Sequence, residues 1–518
     1  MSRQRFHHYF YLLGIIALVV AMPLSHFLMG LASFLLFLNW VAEWNWREKR
    51  IRLRKNRQGL WFAAFYLVYA IGLVHVTDWG AAGEEMLDKL PFLLSPLVVI
   101  TTKPLDKREL HYVFGAFILA TFIGCCLNFG YAQAHPLDNI RQMSRFIDHI
   151  RFSLCVVLSI VFCIHLLLHP LGEKSLFRYI YLIISFLLLC YLLYAQTLSG
   201  VVILMVIALC FIIHLVENQK NTKLKWALGG FMGLFLAAAV AYTLYITYDY
   251  FHVKDPAPDF TALTASGHPY SFKEDPMVEN GHYIGHYVCE EELRTAWAMR
   301  SDTVYDERTS ATLVRYLNSL GMRKDSAAVM SLSDNDIHNI EHKTANVYYT
   351  HTGSLRRALY ETYFGLTLYK KYGVINESSM LERVELWRAS WRIIRENWLF
   401  GVGIGQQRAA LDRQLELQHS PIADKKKNRG SHNQFLTFWI AAGIIPVVYF
   451  CFLLVYPFVG MRNRITFVYF AFILLLFLSM LVEDTLNAQT GRTMFSIFVP
   501  LLLFGAKDSG YSVRCLKN

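Results

Sequence analysis

The sequence predicts an all-α polytopic membrane protein, and three observations carry that prediction. Hydrophobic residues make up 55% of the 518 positions, and mean hydropathy is positive at +0.32. Apolar runs also recur at lengths suited to crossing a hydrocarbon core as helices. About twelve are expected. They lie at Tyr9–Met22, Phe27–Trp40, Leu60–Val76, Leu90–Thr101, Val113–Phe129, Phe152–Leu168, Tyr179–Leu193, Val201–Val216 and Ala227–Tyr248, then at Phe435–Phe458, Phe467–Leu481 and Met494–Phe504. The short runs Leu90–Thr101 and Met494–Phe504 suit helices packed inside a bundle. The chain thus divides into a membrane bundle of about nine spans at 1–249, a mainly helical outer region at 250–431, and about three more spans at 432–518.

Orientation follows from basic residues in short loops. The stretch Trp44–Leu60 carries Arg47, Lys49, Arg50, Arg52, Arg54, Lys55 and Arg57. The loops Lys103–Arg108, Lys174–Arg178, Lys220–Lys225 and Arg462–Arg464, with both termini, add more. The alternate loops His75–Leu87 and Ala195–Ser199 have none. Both termini are therefore expected in the cytoplasm and 250–431 outside. The first apolar run has a basic start like a signal peptide, but so many following spans favour an uncleaved anchor. The net charge of +11 reflects these loops and gives no reason to expect nucleic-acid binding. Most of the nine cysteines lie in apolar runs, as small hydrophobes. Cys289 is the only one in the outer region, so no disulfide can close there.

The outer region opens with the irregular stretch DPAPDF through ENGHY. Helical patterns follow at Glu290–Met299, Thr309–Leu320 and Ser354–Tyr372, and Ser333 ahead of Asp336 reads as a helix N-cap. The chemically richest block comes last, just before the tenth span: LERVELWRASWRIIRENWLFGVGIGQQ, a basic run, then SHNQFLTFWIAAGIIP. A helix over 381–398 places Trp387, Trp391, Ile394 and Trp398 on one stripe and Arg388, Arg392 and Arg395 on the next. Two readings stay open for those arginines: anchoring at the membrane interface by snorkelling, or contact with a ligand. Arg383 precedes the stripe and is the better ligand candidate. Gly401, Gly403 and Gly405 allow a sharp turn that can bring backbone amides to an anion. The basic run comprises Lys425, Lys426, Lys427 and Arg429, and His432 follows at the helix mouth. A neutral imidazole there can take a hydroxyl proton, with Asn433 orienting the ring or a sugar hydroxyl.

The order Arg383-x-x-x-Trp387, GVGIG, then His432-Asn433 shortly before Gly443 resembles the bacterial O-antigen ligase family, a superfamily that includes O-antigen polymerases and O-oligosaccharyltransferases. The resemblance implies a GT-C-like membrane glycosyltransferase in the bacterial inner membrane, with its site at the periplasmic face. The implied donor is a glycan on undecaprenyl pyrophosphate, and the implied acceptor is a hydroxyl of the lipid A core. Membrane lipids are the other partners, and no metal or other cofactor is implied. Carried over, Arg383 is a pyrophosphate ligand and His432 the activating base of an inverting transfer. Three positions depart from the pattern: Pro446 replaces a second glycine, Trp398 replaces a proline before the glycine turn, and Gly200 in TLSGVV replaces an arginine. Arg151 in FIDHIRFSL is the expected substitute cation, with Arg145 and His149 nearby. The expected pyrophosphate-binding set is thus Arg383, Arg151, Arg388 and Arg145. Asn433, Gly403, Gly405, His149 and Glu483 are the expected orienting groups; Glu483 and Asp484 can face sugar or pair with Arg492.

Two rival sites are weaker. Asp334-Asn335-Asp336 resembles a metal-holding DxD pair, but acidic residues favour a helix start anyway. His282-x-x-x-His286-x-x-Cys289 with Glu290 has zinc-ligand types at helical spacing, but Gly281 and Gly285 interrupt the helix. Polymerase and protein O-oligosaccharyltransferase are alternatives sharing the donor. A transporter or flippase is a distant one, since the spans carry almost no internal carboxylate.

Overall fold

The computed structural model describes residues 3–135, 140–171, 177–350, 354–375, 379–423 and 429–506. Lys425, Lys426, Lys427, part of the Lys174–Arg178 loop and the basic C-terminus lie outside them. All twelve apolar runs are helical. Five described helices are long and apolar enough to cross a membrane: Arg57–His75, Lys107–Ala134, His149–Leu168, Leu198–Glu217 and Thr222–Phe251. A sixth counts if His26–Ala42 and Trp46–Lys55 form one broken span bent by 111°. Others are shorter because they pack on protein: in Gln489–Phe504 nearly every residue is buried, Arg492 and Thr490 included. Such a helix need not match the bilayer.

Two expectations change. The basic stretch after the second apolar run folds largely as the helix Trp46–Lys55, with Glu48 in its first turn and Arg52, Arg54 and Lys55 in its last, the arrangement that suits the helix dipole. The Phe435–Phe458 run is two helices, Gln434–Ala442 and Ile444–Gly460, broken at Gly443. Gly443 has φ 80° and ψ −171°, a conformation essentially reserved for glycine. A β-carbon there would lie 1.9 Å from the Leu399 carbonyl oxygen.

The chain folds as two compact units, Met1–Leu215 with Arg383–Asn518, and Val216–Glu382. These bounds differ from divisions drawn at apolar runs, for a packing reason. Helix Thr222–Phe251 joins Leu355–Tyr372 through an edge-to-face contact of Tyr250 with Tyr360 and a 2.7 Å hydrogen bond between Thr247 and Tyr363. The described residues of 383–431 instead belong with the bundle, as where the Val402 N–H donates to the Ile440 carbonyl at 2.7 Å.

In the first unit, helix Arg3–Ala21 packs on His26–Ala42 and Lys107–Ala134, and His149–Leu168 packs on Lys107–Ala134 and Phe177–Tyr194. Its core is aromatic at Phe65, Phe92, Phe438, Phe450 and Phe495. The second unit has its own core of Leu293, Trp297, Leu313, Tyr316, Leu317, Val329 and Ile340. Its helices Glu290–Arg300, Glu307–Ser319 and Leu355–Tyr372 follow the expected patterns, and Ser333 with Asp336 forms the expected capping box. A two-residue hairpin, Val278–Glu279 with His282–Tyr283, is its only ladder among the described residues.

Candidate functional site

The buried carboxylate of Glu483, 3% exposed, organises the site in the first unit. It follows helix Phe467–Val482 at the turn into Gln489–Phe504. Three groups from separate segments converge on it. From helix Ser379–Glu396, Arg383 places Nη2 at 2.5 Å from Oε1 while its Nε donates to the Val482 carbonyl at 3.0 Å. From the start of helix His149–Leu168, Arg151 places Nη2 at 3.7 Å from Oε2. Nδ1 of His432 lies 3.1 Å from the same oxygen. Burial pushes the Glu483 carboxyl up, but the hydrogen bond and charge of His432 with the two guanidiniums outweigh it and hold it at about 2. Glu483 is therefore ionised throughout the neutral range. The Arg151 Nε is buried with no hydrogen-bond partner among the described residues.

Asp484 sets the backbone beneath the imidazole. His432 adopts φ 50°, a left-handed conformation uncommon for a side-chain-bearing residue. It is held there because Asp484 accepts from the His432 and Asn433 N–H groups, both at 3.2 Å, and from the Thr437 hydroxyl at 2.6 Å and the Ser431 hydroxyl at 3.3 Å. A β-carbon at Gly430 would sit 1.9 Å from Oδ2 of Asp484. Gly430→Ala is therefore expected to displace Asp484 and lower any His432-dependent activity by about tenfold or more, with Arg383 and His432 both intact. Activity assays on purified protein check this.

The imidazole itself is half-open. The His432 side chain is 40% exposed, and its Nε2 is bonded to no described residue. With Nδ1 on a carboxylate, Nε2 is the nitrogen that can accept a proton, and Glu483 then stabilises the imidazolium.

Residues 327–451 match the family model described as O-antigen ligase. That segment is similar to the family's domain. The match spans Arg383, the glycine turn and His432. No curated protein matches the chain. The family's members are membrane glycosyltransferase-like enzymes that use lipid-linked glycans and lipid acceptors, and the apolar helices agree with a multi-pass bacterial membrane protein.

Several family-pattern residues serve the fold. The break at Gly443 orphans carbonyls at the end of helix Gln434–Ala442, and the glycine turn takes up one of them, through Val402 to Ile440. A β-carbon on Gly401 would meet that Ile440 oxygen at 2.5 Å. Gly403 and Gly405, expected to orient substrate, lie close against backbone: a β-carbon on Gly403 would stand 3.0 Å from the His75 carbonyl oxygen, and one on Gly405 2.6–2.8 Å from Ala81 and Ala82. Asn433 is likewise committed: Oδ1 caps helix Gln434–Ala442 at the Phe435 and Leu436 amides, and Nδ2 donates to the Leu481 carbonyl at 3.0 Å.

The departures from the family pattern have local reasons. Pro446 occupies the first turn of helix Ile444–Gly460, where a missing N–H costs little. A β-carbon on Gly200 would stand 2.9 Å from both Ser153 and Leu192, so this packing leaves no room for an arginine. Arg151 stands two residues before Ser153 and reaches Glu483.

Not every expected ligand gathers at Glu483. Arg388 is 58% exposed and pairs with Glu385 at 3.0 Å, and the Arg145 guanidinium lies over the Tyr131 ring at 4.5 Å. His149 lies 3.7 Å from Asp148 and lines a small surface depression with Tyr191 and Thr197. Arg492, a possible partner of Glu483, bonds to Asp88 at 3.3 Å. Arg392 and Arg395 face outward with Trp391 and Trp398. The Trp391 ring meets Trp439 at 5.6 Å.

Sequence reasoning passes over a second buried polar group. Helix Trp79–Lys89 carries Glu85, which accepts from the Tyr69 hydroxyl at 2.6 Å and the Gln407 amide at 2.5 Å. Lys89 donates to Asn487 at 2.5 Å, and burial pushes its ammonium down to about 8. The i, i+3 and i+4 spacing of Glu85, Asp88 and Lys89 is the signal that could have found it. The DxD candidate is a helix start: Asp336 completes the Ser333 cap, and Asp334 pairs with Arg300 at 3.2 Å.

Proposed function

We propose that the chain transfers a glycan from undecaprenyl pyrophosphate to a lipid A-core hydroxyl at the periplasmic face of the bacterial inner membrane, as an O-antigen ligase. Both termini lie in the cytoplasm on this reading. The observation that carries it is the convergence of Arg383, Arg151 and His432 on one buried carboxylate. Glu483 serves as a mount, holding two guanidiniums and an imidazole in fixed relation before substrate arrives, so little reorganisation remains for the reaction.

In the transfer, the acceptor oxygen forms a bond to the anomeric carbon as the bond from that carbon to the phosphate oxygen breaks. The bonding pair leaves with the pyrophosphate, whose growing charge faces Arg383 and Arg151. The acceptor proton passes to Nε2 of His432, and attack opposite the leaving group inverts the anomeric centre. Guanidiniums suit this task because their planar donors match phosphate oxygens two at a time.

A deletion strain tests the reading. Rough lipopolysaccharide with accumulated long lipid-linked glycan is the expected result. A single repeat unit on the core would instead identify a polymerase, and unchanged lipopolysaccharide with underglycosylated proteins would identify an O-oligosaccharyltransferase.

A further inference from the structure

The second unit brings together an imidazole, a thiol and a carboxylate that have no part in the proposed transfer. The donor atoms of His268, Cys289 and Glu292 all lie within 4.8 Å of one another. Cys289 and Glu292 are buried, and the His268 side chain is 46% exposed, which leaves a way in from solvent. We propose that these three side chains form a zinc-binding site.

The ligand types select the ion. One thiolate, one imidazole and one carboxylate suit borderline-soft Zn²⁺, whereas Ca²⁺ and Mg²⁺ call for oxygen shells. Zinc takes sulfur at about 2.3 Å and nitrogen or oxygen at about 2.0–2.2 Å. Donor atoms within 4.8 Å of one another must draw in slightly to reach such distances, and the part-exposed His268 ring has room to move. Three protein ligands leave a fourth position for water.

The surroundings resemble a prepared outer shell. Glu292 Oε2 accepts from the Ser326 N–H at 3.1 Å and its hydroxyl at 2.7 Å, and Oε1 accepts from the Thr264 hydroxyl at 2.5 Å. These bonds aim the carboxylate, as outer-shell partners do for metal ligands. The Cys289 N–H donates to the Lys324 carbonyl at 2.8 Å, which anchors the thiol at the head of helix Glu290–Arg300. Glu292 Oε1 also lies 2.9 Å from Nδ1 of His268, a contact the ion would replace with ligation of both groups. The zinc would staple the irregular chain around His268 to that helix, in a unit with no disulfide available. The weak zinc motif in the sequence uses His282, His286, Cys289 and Glu290; His282 pairs with Asp255 at 2.5 Å, and of that motif only Cys289 joins the cluster.

Co²⁺ titration of the chelator-treated, full-length protein in detergent tests the site, because cobalt reports thiolate ligation by a charge-transfer band. The expected result is saturation at about one ion per chain with that band, loss of the band on adding Zn²⁺, and a higher melting temperature with Zn²⁺. Cys289→Ser should abolish the band, and His268→Ala should weaken binding by about tenfold or more. Cys451→Ser, in helix Ile444–Gly460 of the first unit, should change neither. Absence of a thiolate band in the parent protein, or binding unchanged in His268→Ala, overturns the proposal. The His268 variant alters a part-exposed position and decides the matter even where Cys289→Ser fails to fold. Glycan transfer is not the readout, so the outcome is independent of the ligase reading.

Discussion

Substituting alanine for His432 is expected to lower glycan transfer by about two to four orders of magnitude, the usual contribution of a positioned general base. The protein should still fold. Its loop is held by Asp484 through backbone N–H groups, and the ring is 40% exposed, so truncation leaves little void. A reconstituted assay with lipid-linked donor, beside a thermal melt, separates loss of chemistry from loss of structure. Near-normal transfer in His432→Ala would remove the base from the mechanism. Glu483 belongs to the same test. Its carboxyl is held at about 2 by His432, Arg151 and Arg383 against the effect of burial, so its contribution to stability is fully present above the ordinary carboxylate range. That contribution disappears only as pH falls from about 4.5 toward 2.

Replacement of Arg383 by lysine is expected to cost nearly as much as replacement by alanine, about 10²–10³ in turnover, the scale for one preorganised donor. The guanidinium spans two partners, donating to the Val482 carbonyl through Nε and to Glu483 through Nη2. A lysine ammonium keeps the charge but loses the fork that fixes its direction. Because removing the cation leaves Glu483 with fewer counter-charges, the melt must accompany the rate. A lysine variant with parental turnover would show that charge alone suffices, and would sink the preorganised arrangement.

Much of this is legible in the chain. His432 and Arg383 stand out by residue type, spacing and position at a helix mouth, and the structure brings both to one carboxylate. The glycine turn is legible as a turn, but its purpose is not. That Gly401, Gly403 and Gly405 permit a sharp turn is legible, whereas their positive φ and the backbone each one presses against are not. Asn433 reads as a free polar group because an N-cap and a ligand contact look alike in a string of letters. Lys89 escapes notice, and Asp484 reads only as a group facing sugar or Arg492, for a related reason: their value lies in partners distant along the chain.

Local chemistry determined the class of this protein. Apolar runs with helical period must become helices in lipid, since every backbone N–H and C=O has to be satisfied within the segment. The order of arginine, glycines and histidine pointed to the family on the same local terms. The working centre was decided by packing alone. Glu483 lies 100 residues from Arg383 and 51 from His432, and nothing in those intervals encodes a meeting. The packing of helices Ser379–Glu396, His149–Leu168 and Phe467–Val482 brings the cations and the ring to one buried carboxylate, where the low dielectric makes their mutual arrangement matter. The same holds for His268, which lies more than twenty residues from the helical pair Cys289 and Glu292 and meets them only through folding.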